Sequence, residues 1–388
     1  MGNRTKQIII KNTPVMKINV IFDNVVFSLQ KIGGISAVWF ELIKRIQNDG
    51  NFLCNFIEYD SAENNFYRKS ICNINIIKLY LGKWLFLSRY VNPKLGINEP
   101  YIFHSSYYRT LRDKKAINVT TVHDFTYERS KKRDIATLVH IWQQKRAVMN
   151  SDIVVCISEN TKRDLLHYYD NVDETKIHVV YNGVSEEYKI LDNLDTINLP
   201  FKNGSYCIYV GVRRKYKNYK LAIESLVNTD YNIVLIGSPL NEDERHYLDD
   251  TLGSIRYFFF SNVSNERLNE LYNGAFCLLY LSSYEGFGIP CVEAQKAGCP
   301  VIAYNASSIP EVVCEKELLC EVLTTDEVIS KIRILEKEEK RKHIIENGVE
   351  FSKRFSWDKC FSELKMLYEN AYEKVMDDWQ SHEKNSTR

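Results

Sequence analysis

The stretch Leu278-Leu-Tyr-Leu-Ser-Ser-Tyr-Glu285-Gly-Phe-Gly288-Ile-Pro290-Cys-Val-Glu293-Ala decides the fold of this chain. Its first residues form an apolar run that predicts a buried strand, and the two glycines that follow predict a tight loop. Pro290 stands where a helix begins, because proline is preferred in the first turn of a helix. A glycine loop that leads into a helix N-terminus presents free N–H groups, which suit a phosphate group. The two glutamates add carboxylates, whose oxygens are suited to accept hydrogen bonds from paired hydroxyls such as those of a ribose or a hexose.

This pattern alone leaves a second interpretation open. Units of strand, glycine loop and helix are common, and Glu293 in the first turn also stabilises the helix dipole without touching a ligand. The residues around the stretch are therefore needed to decide between a ligand site and a purely structural unit.

Strand-like runs alternate with helical patterns on both sides of this stretch. The alternation predicts parallel, doubly wound sheets and so an α/β fold. A polar stretch at residues 190–200 interrupts it, which predicts an N-terminal Rossmann-like domain over residues 1–191 and a C-terminal one from residue 192. Ligands of such sheets bind beyond the carboxyl ends of the strands, so we expect the site in a cleft between the two domains. The predicted strands are 17–22, 101–103, 116–122, 152–157, 206–210, 232–236, 256–260, 277–281 and 300–303.

Composition restricts the class of protein. Hydrophobic residues make up 45% and charged residues 26% of the chain, as in soluble globular proteins. The ten cysteines include no Cys-x-x-Cys pair, and the N-terminus lacks the features of a secretory signal, so we expect a cytoplasmic protein. Residues 1–191 carry an excess of basic side chains and residues 192–388 an excess of acidic ones. Either the first half meets an anionic partner or surface, or the asymmetry is incidental.

The stretch from residue 278 to 294 resembles the EX7E signature of the retaining glycosyltransferases of family 4, with Glu285 and Glu293 at the family's spacing. Residues 266–275, 297–303 and 307–312 extend the likeness, which covers nearly the whole chain and is weakest over residues 50–100. The resemblance implies a GT-B fold, in which two Rossmann-like domains face each other across a cleft. It implies that residues 192–356 hold a nucleotide diphosphate sugar and that the first domain holds the acceptor. It also implies that a final helix, at about 357–379, returns to the first domain.

Basic residues follow a second strand of the C-terminal half. Tyr209-Val-Gly-Val-Arg-Arg-Lys-Tyr-Lys217-Asn resembles the family loop whose lysine and arginine grip the donor diphosphate, and Lys217 matches the lysine. The family often has the arginine directly after the glycine, where this chain has Val212, so Arg213 is the first candidate and Arg214 the alternative. Positive charge suits a departing diphosphate, on which negative charge develops. A solvated basic loop is the structural alternative.

Two segments of the first half complete the resemblance. Gly33-Gly34-Ile-Ser resembles the family's N-terminal glycine loop near the donor. Thr121-Val-His123-Asp-Phe resembles its strand-end histidine motif, which implies a hydrogen bond from His123 to a hydroxyl of the transferred sugar, although a histidine after an apolar strand is often structural. The resemblance assigns catalysis to Glu285, His123, Lys217 and Arg213, and donor binding to Gly33, Gly34, Arg214, Gly286, Phe287, Gly288, Ile289 and Glu293.

The family implies a retaining transfer of a hexose to a glycan or lipid-linked acceptor in the assembly of a surface polysaccharide such as capsule or lipopolysaccharide. Blocks similar to mannosyltransferase-like members favour GDP-mannose as donor, with a UDP-sugar second. No Asp-x-Asp motif stands at a strand end, so we expect no metal requirement and no cofactor. We expect no nucleic-acid partner. The aromatic and basic segment over residues 79–90 suggests peripheral contact with an anionic membrane at the inner face, or else a core helix.

Two other classes remain as alternatives. A NAD-dependent oxidoreductase on a Rossmann-like fold requires a Gly-x-Gly-x-x-Gly after its first strand, and neither residues 22–36 nor residues 210–221 supply it. A non-catalytic nucleotide-sugar-binding protein is expected to lack Glu285 or Lys217, and both are present.

Overall fold

A computed structural model describes residues 17–72, 74–78, 92–194 and 198–386 of the chain. The described residues form two compact units. Residues up to 119, together with those from 367 onward, make the first unit, and residues 120–366 make the second. The aromatic segment over residues 79–90, for which the sequence suggests membrane contact, lies outside the described residues. No helix in the described ranges combines the length and the apolar character that crossing a membrane requires.

The first unit is built on parallel strands that lie in the order β3-β2-β1-β4-β5. The C-terminal helix adds residues 367–386 to this unit. Its other elements are β1 (Ile18–Asp23), α1 (Val25–Leu29), α2 (Gly34–Ile46), β2 (Phe52–Glu58), β3 (Asn75–Lys78), β4 (Tyr101–Ser105) and the first residues of β5 (Ala116–Val122).

A buried ion pair holds the centre of this unit, where the strand order reverses between β1 and β4. Asp23 ends β1, and Arg109 follows β4; both side chains are fully buried. The Arg109 Nε–H donates to Asp23 Oδ2 at 2.6 Å, and Ser105 Oγ donates to the same oxygen at 2.7 Å. Removing one partner of such a pair leaves an uncompensated buried charge. The ends of β1 and β4 are therefore fixed to each other by charge as well as by the sheet.

In the second unit the strand order continues from β5 to β6 and β7, and a separate sheet follows. The elements that follow β5 are α3 (Thr126–Arg129), α4 (Ile135–Asn150), β6 (Ile153–Cys156), α5 (Glu159–Tyr168) and β7 (Ile177–Val179). Two of these helices begin at polar caps: Asp134 accepts the Thr137 N–H at 2.9 Å before α4, and Ser158 accepts the Thr161 N–H at 3.0 Å before α5.

The separate sheet has the order β10-β9-β8-β11-β12-β13, and its strands pair in parallel. Helices connect successive strands, as the alternation in the sequence predicts. The elements are β8 (Tyr206–Val210), α6 (Tyr219–Glu224), β9 (Asn232–Ile236), α7 (Glu242–Thr251), β10 (Tyr257–Phe260), α8 (Asn265–Gly274), β11 (Cys277–Tyr280), α9 (Ile289–Lys296), β12 (Val301–Tyr304), α10 (Ile309–Val312), β13 (Leu319–Cys320), α11 (Thr325–Leu335), α12 (Glu338–Ser352) and α13 (Trp357–Ser386).

The central strands β8 and β11 of this sheet are buried on both faces. Cys207 and Tyr209 of β8 pack into one apolar cluster, whereas Ile208 packs into another. The same alternation divides β11, where Leu279 and Leu278 enter different clusters. Successive side chains of a strand point to opposite faces, so both faces carry a core and the strand sequence reads as a continuous apolar run.

The predicted fold class is confirmed: the chain has two Rossmann-like domains with parallel sheets. The predicted strands at 116–122, 206–210 and 232–236 agree residue for residue with β5, β8 and β9. The strands β1 to β7 all precede residue 191, and β8 to β13 all follow it. The domain boundaries derived from the sequence, at residues 191, 192 and 356, stay a prediction.

Gly183 gives a test of backbone packing within the second unit. Val184 bridges to Ser356, and a Cβ placed on Gly183 would overlap the backbone of Ser356 and Trp357. Gly183→Ala is expected to lower the free energy of unfolding by about 1–3 kcal/mol, as over-packing commonly does. Urea denaturation measures the change.

Gly50→Ala serves as the matched control, because a Cβ on Gly50 meets nothing within 4 Å. Its free energy of unfolding should stay within about 0.5 kcal/mol of the wild type. Equal stability of the two variants would contradict the packing at Gly183.

Candidate functional site

Two loops meet where the order of the second sheet reverses. Strands β8 and β11 are neighbours there, and their connections leave in opposite directions along the sheet. A crevice at the carboxyl ends of such strands is the usual ligand site of an open α/β sheet. Asn218 ties the loop after β8 to the loop after β11, because its Nδ2 donates to Leu281 O at 2.8 Å and to Ser283 Oγ at 2.9 Å. Asn218 itself has a left-handed backbone conformation, with φ of 51°.

The structure brings Lys217 and Glu285 together at this point. Lys217 Nζ forms an ion pair with Glu285 Oε1, and it also donates to Tyr280 OH at 3.3 Å. The side chains of Lys217 and Glu285 are 11% and 15% exposed. Charges that are this well shielded interact more strongly than charges in water. The pair therefore places one cation and one anion at the end of the sheet in fixed positions.

Hydroxyl groups fix the backbone after Glu285. Ser308 Oγ lies 2.9 Å from Glu285 O and 3.0 Å from Phe287 O, so both carbonyls point toward the one hydrogen that this hydroxyl donates. Gly286 O accepts from Ser158 Oγ at 2.7 Å. In a trans peptide the N–H points opposite to the preceding C=O, and the described chain has no cis bonds. The N–H groups of Gly286 and Gly288 therefore point away from Ser308, on one side of the loop.

The close approach of Gly286 to His123 joins two motifs that are far apart in sequence. A Cβ on Gly286 would overlap the carbonyl oxygen of His123, so the two backbones touch directly. Thr161 Oγ1, at 3.2 Å from Gly286 O, supports the same peptide. Only glycine fits here, because any side chain would separate the loop from β5.

The His123 imidazole is neutral near pH 7. Burial lowers the pKa of His123 to about 4, against the opposing effect of the nearby Asp124 carboxylate. A neutral imidazole has one donor and one acceptor nitrogen, which suits a hydroxyl group. Tyr284 supports this region: its OH accepts the Phe125 N–H at 2.8 Å and donates to Asp164 Oδ2 at 2.8 Å.

The remaining residues of the glutamate stretch begin α9. Gly288 precedes the helix with φ of 99°, a conformation that favours glycine, and Pro290 lies in the first turn beside Ile289. The Phe287 side chain packs in the apolar core, where its ring centroid lies 5.6 Å from that of Phe355. Only the backbone of Phe287 is therefore available to a ligand.

Glu293 lies on α9 and faces α8. Tyr272 OH donates to Glu293 Oε2 at 3.3 Å. Burial raises the pKa of Glu293 to about 7, although hydrogen bonds from Tyr188 and Tyr272 favour the carboxylate. The Glu293 carboxyl group therefore gains or loses its proton close to neutral pH.

Arg213 and Arg214 occupy different settings. Arg213 turns toward the end of β9: its Nε donates to Glu244 Oε1 at 2.8 Å, and its Nη2 donates to Ser238 O at 2.7 Å. Lys217 turns toward β11 on the other side of β8, so the contacts within the described residues do not join Arg213 to the Lys217–Glu285 pair. Arg214 is exposed. The choice between the two arginines for the diphosphate stays a prediction.

Gly33 and Gly34 belong to the first unit. Gly34 begins α2, and Ser36 Oγ donates to Gly33 O at 2.8 Å. Gly33 is extended, with φ of 175°, and the nearest group to a Cβ there is the flexible side chain of Gln30. The role in donor binding that the sequence assigns to Gly33 and Gly34 stays a prediction.

Within the described ranges, no three or more histidine, cysteine, aspartate or glutamate side chains lie together in a cluster that could hold a metal ion.

Two families match successive parts of the chain. Residues 192–351 match Glycosyl transferases group 1, and residues 32–188 match Glycosyltransferase Family 4. The two matches together span both Rossmann-like domains, including the loops after β8 and β11. The chain is a glycosyltransferase with the GT-B fold.

Similar proteins and solved structures are also glycosyltransferases or share this fold. An uncharacterized glycosyltransferase of Methanocaldococcus jannaschii is 29% identical over 87% of this chain and 95% of its own. The O-antigen chain mannosyltransferase B of Escherichia coli is 25% identical over 69% of this chain and 74% of its own. Among solved structures, Anabaena HepE in complex with UDP and glucose is similar in fold, with a TM-score of 0.66, 14% identity, and coverage of 90% of this chain and 99% of HepE. Nothing in these matches supports the oxidoreductase alternative.

Sequence reasoning missed several residues that build this part of the glycosyltransferase. Ser307 Oγ accepts the Glu285 N–H at 2.9 Å, and Ser308 and Thr161 hold the adjacent carbonyls. Small hydroxyl residues next to helix starts signal caps in a sequence. That signal does not show that the same hydroxyls also bind a loop elsewhere in the chain.

Gly286→Ala tests the contact with His123. The added methyl group should push the loop away from β5 and displace Glu285, so we expect kcat/KM of the glycosyltransferase to fall about a hundredfold, as small misplacements of reacting groups do. Steady-state kinetics measures the loss. Gly96→Ala is the control, because a Cβ on Gly96 meets nothing within 4 Å; full activity of Gly286→Ala would refute the proposed constraint.

Proposed function

We propose that this glycosyltransferase transfers a hexose from a nucleotide diphosphate sugar to a glycan or lipid-linked acceptor, with retention of the anomeric configuration. The observation that carries the proposal is the Lys217–Glu285 ion pair at the sheet reversal, beside the amides of Gly286 and Gly288. A cation and directed N–H groups suit a diphosphate, and a carboxylate suits sugar hydroxyls.

Each residue takes a role that its surroundings allow. Lys217 binds the diphosphate and stabilises the charge that develops on it as the glycosidic bond breaks. Glu285 orients the donor sugar, and Glu293 accepts hydrogen bonds from the ribose hydroxyls. The neutral His123 imidazole binds a hydroxyl of the transferred sugar. Arg213 or Arg214 adds a second positive charge, and Arg214 has the more accessible guanidinium.

Retention fits a front-face displacement. The bond from the anomeric carbon to the diphosphate oxygen breaks with its electron pair on the diphosphate. The acceptor hydroxyl attacks the same face of the sugar and gives its proton to the departing phosphate oxygen. Positive charge from Lys217 and an arginine supports the negative charge that builds up, so the proposed reaction needs no metal ion.

GDP-mannose is the first candidate donor and a UDP-sugar the second. The Escherichia coli relative is named a mannosyltransferase of the O-antigen chain, which supports mannose and a role in surface polysaccharide assembly. The similar structure of HepE holds UDP and glucose, which supports the UDP alternative. A non-catalytic nucleotide-sugar-binding protein differs from both in that it binds donor without turnover.

A panel of sugar nucleotides tests the proposal. Wild-type protein should hydrolyse or transfer at least one donor, and Glu285→Ala and Lys217→Met should each lower kcat about 10²- to 10³-fold, as loss of one charge-stabilising group does. Product release is followed by anion-exchange chromatography, and NMR of the product gives the anomeric configuration.

The matched control is the exposed ion pair between Lys340 and Glu317 in the same domain. Lys340→Met and Glu317→Ala should keep wild-type rates, because exposed pairs contribute little. Unchanged activity in Glu285→Ala would overturn the site. Donor binding without turnover of any donor would favour the non-catalytic alternative, and an inverted product would exclude the retaining mechanism.

Glu293 predicts a pH dependence of donor affinity. Burial raises its pKa to about 7, so the carboxylate is protonated as the pH falls below that value. If the ribose hydroxyls donate to the carboxylate, the Kd of the intact sugar nucleotide should increase as the pH falls through 7, by up to about tenfold per unit. Titration calorimetry at several values between roughly pH 5.5 and 8.5 measures how the Kd depends on pH.

Glu293→Gln is the control for this profile. The amide does not titrate, so its Kd should be nearly independent of pH over the same range. The His123 imidazole, whose pKa is about 4, stays neutral there and adds no slope. A wild-type profile as flat as that of the variant would show that Glu293 does not bind the donor.

A further inference from the structure

The outward face of helix α4 carries apolar side chains where a surface helix normally carries polar ones. Ile135 is 81% exposed, Leu138 50%, Trp142 58% and Met149 41%. Their spacing of three, four and seven residues places them on one face of the helix. The buried side chains on the opposite side include polar ones, among them Thr137, Gln143 and Gln144.

Aromatic and basic groups surround this face. Tyr127 of α3 is 43% exposed and stacks on His140 of α4, with 3.9 Å between ring centroids. The Arg146 guanidinium lies 5.6 Å from the Trp142 ring centroid. Exposed basic residues flank the helix, and the nearby acidic residue Asp134 is paired with Lys132 at 2.6 Å. The other exposed basic residues are Arg129, Lys131, Arg133 and Lys145.

We infer that this face, defined by Ile135, Leu138, Trp142 and Met149 with its basic flank, docks on an anionic membrane surface. An interfacial helix combines an apolar face with lysine and arginine beside it, so that the side chains enter the lipid boundary while the cations meet lipid phosphates. Tryptophan is favoured at that boundary because its ring is both apolar and polar. The same basic flank opposes the packing of this face against a second copy of the chain.

The apolar face of α4 lies close to a cavity, which fits its proposed contact with a membrane. A cavity of about 330 Å³ borders the same segment and is lined by Thr126, Arg129, Ser130, Tyr216, Ser283 and Tyr284. The Arg129 guanidinium lies 4.4 Å from the Tyr284 ring centroid. Tyr216 and Tyr284 directly precede Lys217 and Glu285 in sequence. A membrane held against α3 and α4 therefore presents an anchored acceptor beside the proposed site of transfer.

Vesicle co-sedimentation of the full chain tests the inference. Wild-type protein should bind vesicles of phosphatidylcholine and phosphatidylglycerol in equal parts, and not vesicles of phosphatidylcholine alone. Ile135→Gln combined with Trp142→Gln should lower the partition constant roughly tenfold or more. Lys131→Gln combined with Lys145→Gln should lower it by roughly fivefold per lysine, and added salt should weaken binding of the wild type.

Ile255→Gln is the matched control, because Ile255 is 84% exposed but stands outside this face. Its partition constant should equal that of the wild type. Equal binding to both kinds of vesicle, no binding to either, or wild-type binding by the α4 variants would overturn the inference. A concentration-dependent dimer in sedimentation velocity that Ile135→Gln with Trp142→Gln abolishes would also overturn it, since the face would then be a contact between copies.

The test is independent of the proposed function. Vesicle binding needs no sugar nucleotide, so it can succeed even where the donor panel fails. The α4 variants should keep the rate of donor hydrolysis in the absence of vesicles, because the altered residues do not touch the proposed donor site. A fall in that rate would show that the substitutions act through the site and not through a membrane.

Discussion

The direct contact between the backbones of Gly286 and His123 is the constraint on which the candidate site depends. It leaves no room for a side chain and so fixes the distance between the end of β5 and the loop after β11. Hydroxyls of Ser158 and Ser308 then hold the carbonyls of this loop from two sides. Because the peptides are trans and their carbonyls are held, the direction of the N–H groups is set before any ligand binds. The side chain of Glu285 takes its position from the same short segment.

The charges of the site are placed by topology and shielded by packing. Lys217 and Glu285 follow neighbouring strands at the reversal of the sheet, and Asn218 ties their two loops together. Burying a charge pair seldom adds to stability, because the cost of desolvation offsets the attraction. The pair is better explained by position: each charge keeps the other at the carboxyl end of the sheet, where Tyr280 also contacts the lysine.

Much of this could be predicted from the sequence, because it is local. The apolar runs, glycines and Pro290 predicted the strand, loop and helix of residues 278–294, and the alternation of such units predicted both sheets. The features that could not be predicted from the sequence depend on contacts between residues that are far apart in the chain. Arg213 is bound by Glu244, which also caps α7, and no pattern within the loop indicates that partner. The helical period of α4 does not reveal that its apolar side faces outward, since the period fixes which residues share a face and not where that face points.

The pairing of cations in this region has a consequence for how an anionic ligand binds. Lys217 has Glu285 as its partner, and Arg213 has Glu244. A phosphate group that reaches either cation competes with a carboxylate that is already in contact, so binding is an exchange of partners and not the meeting of two solvated charges. Such an exchange releases few counterions, and the affinity should therefore depend less on ionic strength than the number of basic residues in the loop suggests. The released carboxylate of Glu285 is then free to accept hydrogen bonds from whatever the phosphate carries.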